Sequence, residues 1–390
     1  MSGKRIMTLL GQLGLTQVRH VSPVRRGAAP DLVRRVYGQV EQEFGVLAPP
    51  VALHAPAPRV LAASWLMMRE TLIATGQVER PIKEAVATAV SLSNACPFCV
   101  TVHNNTLSGL VGSADALARA TGPAASATDP RVLAAAAWAR DSATEEGALR
   151  HEPARPAGEA AELIGTAVLF HYLNRMVNLF LGEFPLPPGV PRIVLGPVMR
   201  PLGGMIQRAA RQPHPPGTSL DLLPQAELPG DLSWAASNPV VADAFARACA
   251  AIERAGAQSV PPVVREAVMA ELARWRGEPR GPSRAWVEEA VSGLPTRYRA
   301  AGRLALLTAL ASYQVDRSVI DPFRHDSPDD ATLIALTSWA SLAAARRVGG
   351  WIPADPAETQ MPEMPQTPDT PTADAGSVRQ PHSRARTHPD

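Results

Sequence analysis

Apolar residues in the first half of the chain recur at helical intervals. In PRVLAASWLMMRETLIATG, Leu61, Trp65, Met68 and Leu72 follow one another at four, three and four residues, the spacing of one buried helical face. The next stretch, RPIKEAVATAVSLSNACPFC, carries Ile82, Val86 and Val90 on its apolar faces and a polar row of Glu84, Thr88 and Ser91 at four and three residues. A carboxylate on an otherwise apolar helix is expected to stay out of the core. Pro81 and Pro97 each mark a helix start, because proline is tolerated in a first turn where its missing N–H has no intrahelical partner. Two later stretches, DPRVLAAAAWARDSA and EAAELIGTAVLFHYLNRMVNLFLG, read as further helices. Little β-strand alternation is present, and Ala, Leu and Arg favour helix on propensity. The expectation is an all-α protein.

The pattern breaks between Phe184 and Gly230, where prolines interrupt helical periodicity repeatedly. This divides the chain into two helical regions, residues 31–183 and 233–352, with a Pro-rich linker over 184–232. The second region reads as a worn copy of the first, a duplicated bundle with one degenerate half. PVVREAVMAEL from Pro262 echoes RPIKEAVATAV from Arg80, with 182 residues between Glu84 and Glu266. At that interval Cys96, Cys99 and His103 correspond to Glu278, Gly281 and Ala285. Residues 1–30 read as a flexible, arginine-rich arm. Residues 353–390, rich in proline and without aromatics, read as a disordered tail.

Charge and composition narrow the function. The chain has 390 residues and a formal charge of +2, and its basic residues are arginine apart from Lys4 and Lys83. No long basic stripe supports a nucleic-acid partner. No run of eighteen or more apolar residues supports a membrane span, so a cytoplasmic protein is expected. Only three cysteines are present, too few for a disulfide framework. Cys249, in an Ala-rich helix, is expected to be structural. The other two, Cys96 and Cys99, stand three residues apart with His103 four residues further on.

That spacing has chemical content. With Pro97 in the first turn, Cys99 lies among free backbone donors at the positive end of the helix dipole, which favours a thiolate. His103 stands one turn on, on the same face. A short connection makes the two helices antiparallel, which brings Glu84 towards His103. There it would orient the imidazole as a proton acceptor.

Glu84, Cys96-Pro97-Phe98-Cys99 beginning twelve positions on, then His103, is similar to the signature of the AhpD-like alkylhydroperoxidase branch of the carboxymuconolactone decarboxylase family. LFHYLNRMVNLFLGE resembles that family's closing helix. The resemblance implies a thiol-dependent peroxidase of peroxiredoxin type, with a hydroperoxide substrate and no cofactor or metal. It implies Cys99 as peroxidatic thiolate, Cys96 as proton donor and resolving thiol, and His103 and Glu84 as proton relay. It implies a lipoyl-bearing or thioredoxin-like reductant and a homo-oligomer. Phe98 stands where the family's peroxidase has a histidine, so one relay link is missing.

Other readings of the same residues remain. A zinc site of Cys96, Cys99, His103 and Glu84 lacks the second ligand pair that structural zinc sites use. The thiols read alternatively as buried packing groups on a vestigial site. An acid–base enzyme of decarboxylase type would use His103 and Glu84 without the thiols, and a redox sensor or assembly module would form the disulfide without turnover. His171 reads as a packing or hydrogen-bonding residue near a helix interface, and Arg175 as an ion-pair or subunit-contact residue.

Overall fold

The computed structural model describes residues 11, 14–111, 129–150, 157–182 and 195–353. Among these residues every regular element is helical. The first half comprises α1 (Asp31–Glu43), α2 (Pro58–Met68, continued by a π turn at Arg69–Ile73), α3 (Arg80–Ser93), α4 (Pro97–Val111), α5 (Pro130–Asp141) and α6 (Ala157–Phe180). After α7 (Leu195–Ala210) come α8 (Pro239–Ser259), α9 (Pro262–Arg274), α10 (Ala285–Ser292), α11 (Arg299–Leu310), α12 (Arg317–Asp326) and α13 (Asp330–Gly349). Prolines open α2, α3, α5 and α8, and side chains of Asp129, Asn238, Asp316 and Asp329 accept from first-turn N–H groups of α5, α8, α12 and α13. No helix among the described residues is long and apolar enough to cross a membrane.

Helix α6 forms the centre. It is buried almost all round, its polar side chains Glu162, Thr166, His171, Asn174 and Arg175 included. Helix α6 lies along α13 and α2 along α8, while α2–α13 and α6–α8 contacts cross between the two pairs. The packing therefore reads alike from either half. Helix α3 packs on α6 as α11 packs on α13.

This packing corrects the repeat register. Glu278 and Gly281 lie in the loop between α9 and α10, where Gly277 and Gly281 take positive φ, and Ala285 only begins the short α10. Glu266 on α9 is exposed. The α11–α12 pair, not α9–α10, occupies the place of α3–α4.

Two other segments differ from expectation. Residues 14–30, expected to be a flexible arm, are packed: Leu15 and Val21 are buried, and Arg19 N donates to Phe180 O at 2.8 Å. The Pro-rich stretch holds α7, which lies on α4 through Gln207 Nε2 to Asn105 O at 3.2 Å and Arg211 Nη2 to Gly109 O at 2.6 Å. Further along, Pro215 O accepts from buried Arg69 at 2.7 Å, and Ser219 Oγ donates to buried Glu70 at 2.7 Å. Proline removes donors without preventing a chain from lying along a protein surface. The expected tail beyond Pro353, residues 1–10 and part of the linker lie outside the described residues.

Candidate active site

The site is built on the α3–α4 hairpin. Ahead of α3, Gln77 N and Val78 N donate to Glu162 on α6 at 2.8 and 3.2 Å, and the same carboxylate pairs with buried Lys83 at 2.7 Å. Burial lowers the Lys83 pKa, and Glu162 acts against it. This pair fixes the start of α3 and therefore the direction in which Glu84 points.

Glu84 is fully buried, against the expectation that it stays out of the core. Two partners make this tolerable. Arg80 Nε donates to Oε1 at 2.7 Å from one turn back, and His103 Nδ1 meets Oε2 at 2.7 Å from α4. Burial opposes ionisation of Glu84, but Arg80 and then His103 outweigh it and hold the carboxyl below its ordinary range. An ionised Glu84 makes Nδ1 the donor, leaving Nε2 of a neutral ring free to accept a proton. Phe170 meets the ring edge-on at 4.6 Å between centroids.

The hairpin turns at Ala95, whose φ of +49° lies in the left-handed region. Cys96 N then donates to Ser91 O at 2.9 Å, and Cys96 O accepts from Val100 N at 3.1 Å, so Cys96 is the N-cap of α4. Both thiols are free and buried. Burial pushes the Cys99 thiol well above its ordinary value, and Cys96 reinforces the shift. The expectation of a readily formed thiolate at Cys99 is therefore corrected: the helix start is present, but the low-dielectric surroundings dominate.

Asn174 on α6 opposes that trend and favours the anion. Its Nδ2 donates to Ser91 Oγ at 3.0 Å, and its Oδ1 accepts from Asn94 Nδ2 at 3.1 Å. Sequence reading passed over Arg80, Asn94 and Asn174 as site residues. The signals available were the i, i+4 spacing of Arg80 and Glu84, and the polar stripe His171, Asn174, Arg175, Asn178 on an apolar helix.

His171 takes the hydrogen-bonding place between helices expected of it, while Arg175 meets carbonyl groups of its own chain in place of an ionic partner. His171 is buried and kept neutral by burial and by Arg175. Arg175 Nε reaches into the second half, donating to Ala309 O at 2.8 Å. Cys249 is buried and its thiol is pushed up to about 12 by burial. Among the described residues, no three His, Cys, Asp or Glu side chains converge as a metal-ligand set.

An all-helical bundle with a Cys-x-x-Cys-x-x-x-His helix and a glutamate on its neighbour defines a class. Residues 60–141 match the model of the carboxymuconolactone decarboxylase family. Over 342 residues, 86% of this chain and 95% of the relative, the protein is 40% identical to an alkyl hydroperoxide reductase of Mycobacterium tuberculosis. The chain belongs to the carboxymuconolactone decarboxylase family, in its AhpD-like branch, and its fold is the duplicated AhpD-like bundle with a degenerate second copy.

Proposed function

We propose that the chain is a thiol-dependent peroxidase that reduces hydroperoxides through a Cys96–Cys99 dithiol–disulfide cycle, with Glu84 and His103 as proton relay. The observation that carries this reading is the 2.7 Å contact of Glu84 with His103, one helical turn from a pair of free, buried thiols. The name of the Mycobacterium tuberculosis relative supports it.

In this reading His103 Nε2 takes the Cys99 proton as the sulfur attacks the hydroperoxide. The O–O bond breaks, the alkoxide leaves with that proton as an alcohol, and Cys99 becomes a sulfenic acid. The Cys96 sulfur then attacks the Cys99 sulfur. Its proton and the departing hydroxide leave as water, and the disulfide forms. An external dithiol, lipoyl-bearing or thioredoxin-like, returns two electrons and two protons. A reducing cytoplasm suits this cycle. The resemblance also supports a homo-oligomer, which sedimentation of the purified chain tests.

A second reading is favoured by the raised Cys99 pKa: acid–base chemistry by His103 and Glu84 alone, with the thiols as packing groups. One experiment separates the two. Wild type, Cys96→Ser and Cys99→Ser are treated with peroxide, sulfenic acid is trapped, and turnover with dithiol donors is measured. The peroxidase reading expects trapping in Cys96→Ser, none in Cys99→Ser, and turnover in neither variant. Turnover retained by Cys99→Ser sinks it.

A further inference from the structure

A cleft of about 1020 Å³ opens in the second half of the chain, and none of its lining residues belongs to the α3–α4 hairpin. Helices α9 and α13 supply most of the lining, joined by the turn Gly230–Ala235 and by Glu253 of α8. A volume of this order accommodates a small organic molecule.

The lining divides by chemistry. Met269, Leu272, Trp339 and Ile352 give it an apolar surface, and Met269 is 53% exposed. Trp339 Nε1 donates to Glu253 at 3.0 Å, which fixes the ring. Of the three arginines, Arg346 is already compensated. Asp231 accepts from its Nε at 2.7 Å and its Nη2 at 2.6 Å, and Glu253 accepts from its Nη1 at 2.9 Å. Those contacts use both carboxylates. The remaining carboxylate of the lining, Glu266, is exposed on α9. Among the described residues neither Arg265 nor Arg347 is ion-paired; Arg347 Nη2 meets the carbonyl of Ala273 at 3.3 Å.

Three buried polar atoms of this lining have no hydrogen-bond partner: Arg265 Nε, Arg347 Nε and Trp234 Nε1. Trp234 itself is only 3% exposed. All three atoms are N–H donors, and no buried acceptor in the lining is left over. Buried donors are normally paired, so the complement of this cleft is a molecule that brings acceptors. Two guanidinium groups without carboxylates favour a negative charge on it, and a guanidinium matches a carboxylate in geometry. The apolar surface favours a hydrocarbon body.

We propose that this cleft binds a small amphipathic carboxylate, its anionic head held by Arg265 and Arg347 and its hydrocarbon body laid against Met269, Leu272 and Trp339. The thiol-less half is then a ligand-binding unit in its own right. This inference is independent of the peroxidase reading, because no residue of the thiol site lines the cleft.

The test is isothermal titration calorimetry of the full chain with dodecanoate and, as a probe of equal chain length and opposite charge, dodecyltrimethylammonium, both below their micelle concentrations. One equivalent of dodecanoate is expected to bind, at least about tenfold more tightly than the cation. Arg265→Gln and Arg347→Gln should each weaken dodecanoate about tenfold, the usual worth of a hydrogen bond to a charged group. Arg303→Gln, which removes a partner of Glu288 outside the cleft, should leave it unchanged. Met269→Glu adds a negative charge at an exposed lining position, so it should weaken dodecanoate and strengthen the cation. Thermal melts identify the variants that remain folded. Equal affinity for the two probes, no binding of dodecanoate, or unchanged affinity in folded Arg265→Gln and Arg347→Gln overturns the proposal. Binding that appears only in the full chain carrying Asp355→Asn, Glu358→Gln and Glu363→Gln also overturns it, because the acceptors would then be the chain's own carboxylates.

Discussion

The α3–α4 and α11–α12 hairpins take corresponding places in the bundle and have opposite interiors. Aligned on their N-caps, Cys96 matches Asp316, Cys99 matches Val319, His103 matches Phe323 and Glu84 matches Leu304. Val319, Phe323 and Leu304 are all buried, as are their counterparts. Asp316 caps its helix by accepting from Ser318 N at 2.9 Å, and Arg284 holds its carboxyl down to about 2. In the second half this place is a well-capped helix start over hydrocarbon. In the first, the cap is a thiol and the interior is ionic.

The contrast extends beyond the hairpins. The first half buries Arg69, Glu70, Lys83, Glu84, Glu162 and Arg175, whereas Arg247 is the buried charge recorded in the second. A buried charge is tolerated only with partners, and in the first half Arg69 has Glu43 and Glu70, Lys83 has Glu162, Glu84 has Arg80 and His103, while Arg175 donates to the carbonyls of Ala309 and His171. Hydrocarbon satisfies the same fold with fewer constraints. The ionic interior of the first half is therefore not a requirement of the architecture.

Converting one hairpin into the other is the strongest way to break this comparison. The triple variant Glu84→Leu, Cys99→Val, His103→Phe is expected to keep its helical circular dichroism and to lose all peroxide turnover; residual turnover with dithiol donors would show that the hairpin is not the site. Glu84→Gln alone removes the charge that orients His103. Turnover should fall by about 10²–10⁴-fold, the usual worth of a positioned acid–base group, read from steady-state rates.

The same substitution sharpens a pH dependence. The folded Glu84 pKa lies below its ordinary 4.5, so its contribution to stability is complete above that value and is lost as pH falls through the folded pKa. Acid unfolding followed by fluorescence should show this lower limb in wild type and a flatter one in Glu84→Gln. A steeper limb in the variant would contradict the sign. In the second half, Phe323→Ala should cost about 3–5 kcal/mol in denaturant melts, as a buried aromatic truncation does, while sulfenic acid trapping per folded molecule is unchanged. Asp316→Ala should cost only about 1 kcal/mol, the worth of an N-cap, seen as a small drop in Tm.

How much of this was legible differs by residue. Cys99 and His103 sit four apart on one helix, so their shared face follows from helical geometry alone. Glu84 was placed beside His103 from a short connection and a polar row, and that contact spans only 19 residues. Asn94 and Asn174 are 80 residues apart and on different helices, and nothing in the pattern of either stretch selects the other as a partner. The repeat was visible, but its register was drawn from α9, whose resemblance to α3 is local. The helix that packs like α3 is α11, and packing rather than resemblance decides equivalence.

Sequence by itself determined the all-helical class, the helix starts, the duplication and the family, and it nominated four residues for the candidate site, because helix periodicity and proline placement act over a few residues. The tertiary structure alone decided that Glu84 is buried, that Cys99 holds its proton tightly, that residues 14–30 are packed and that Arg175 reaches into the second half. Desolvation and hydrogen-bond direction depend on which distant side chains close over a group, and only the folded chain brings those side chains together.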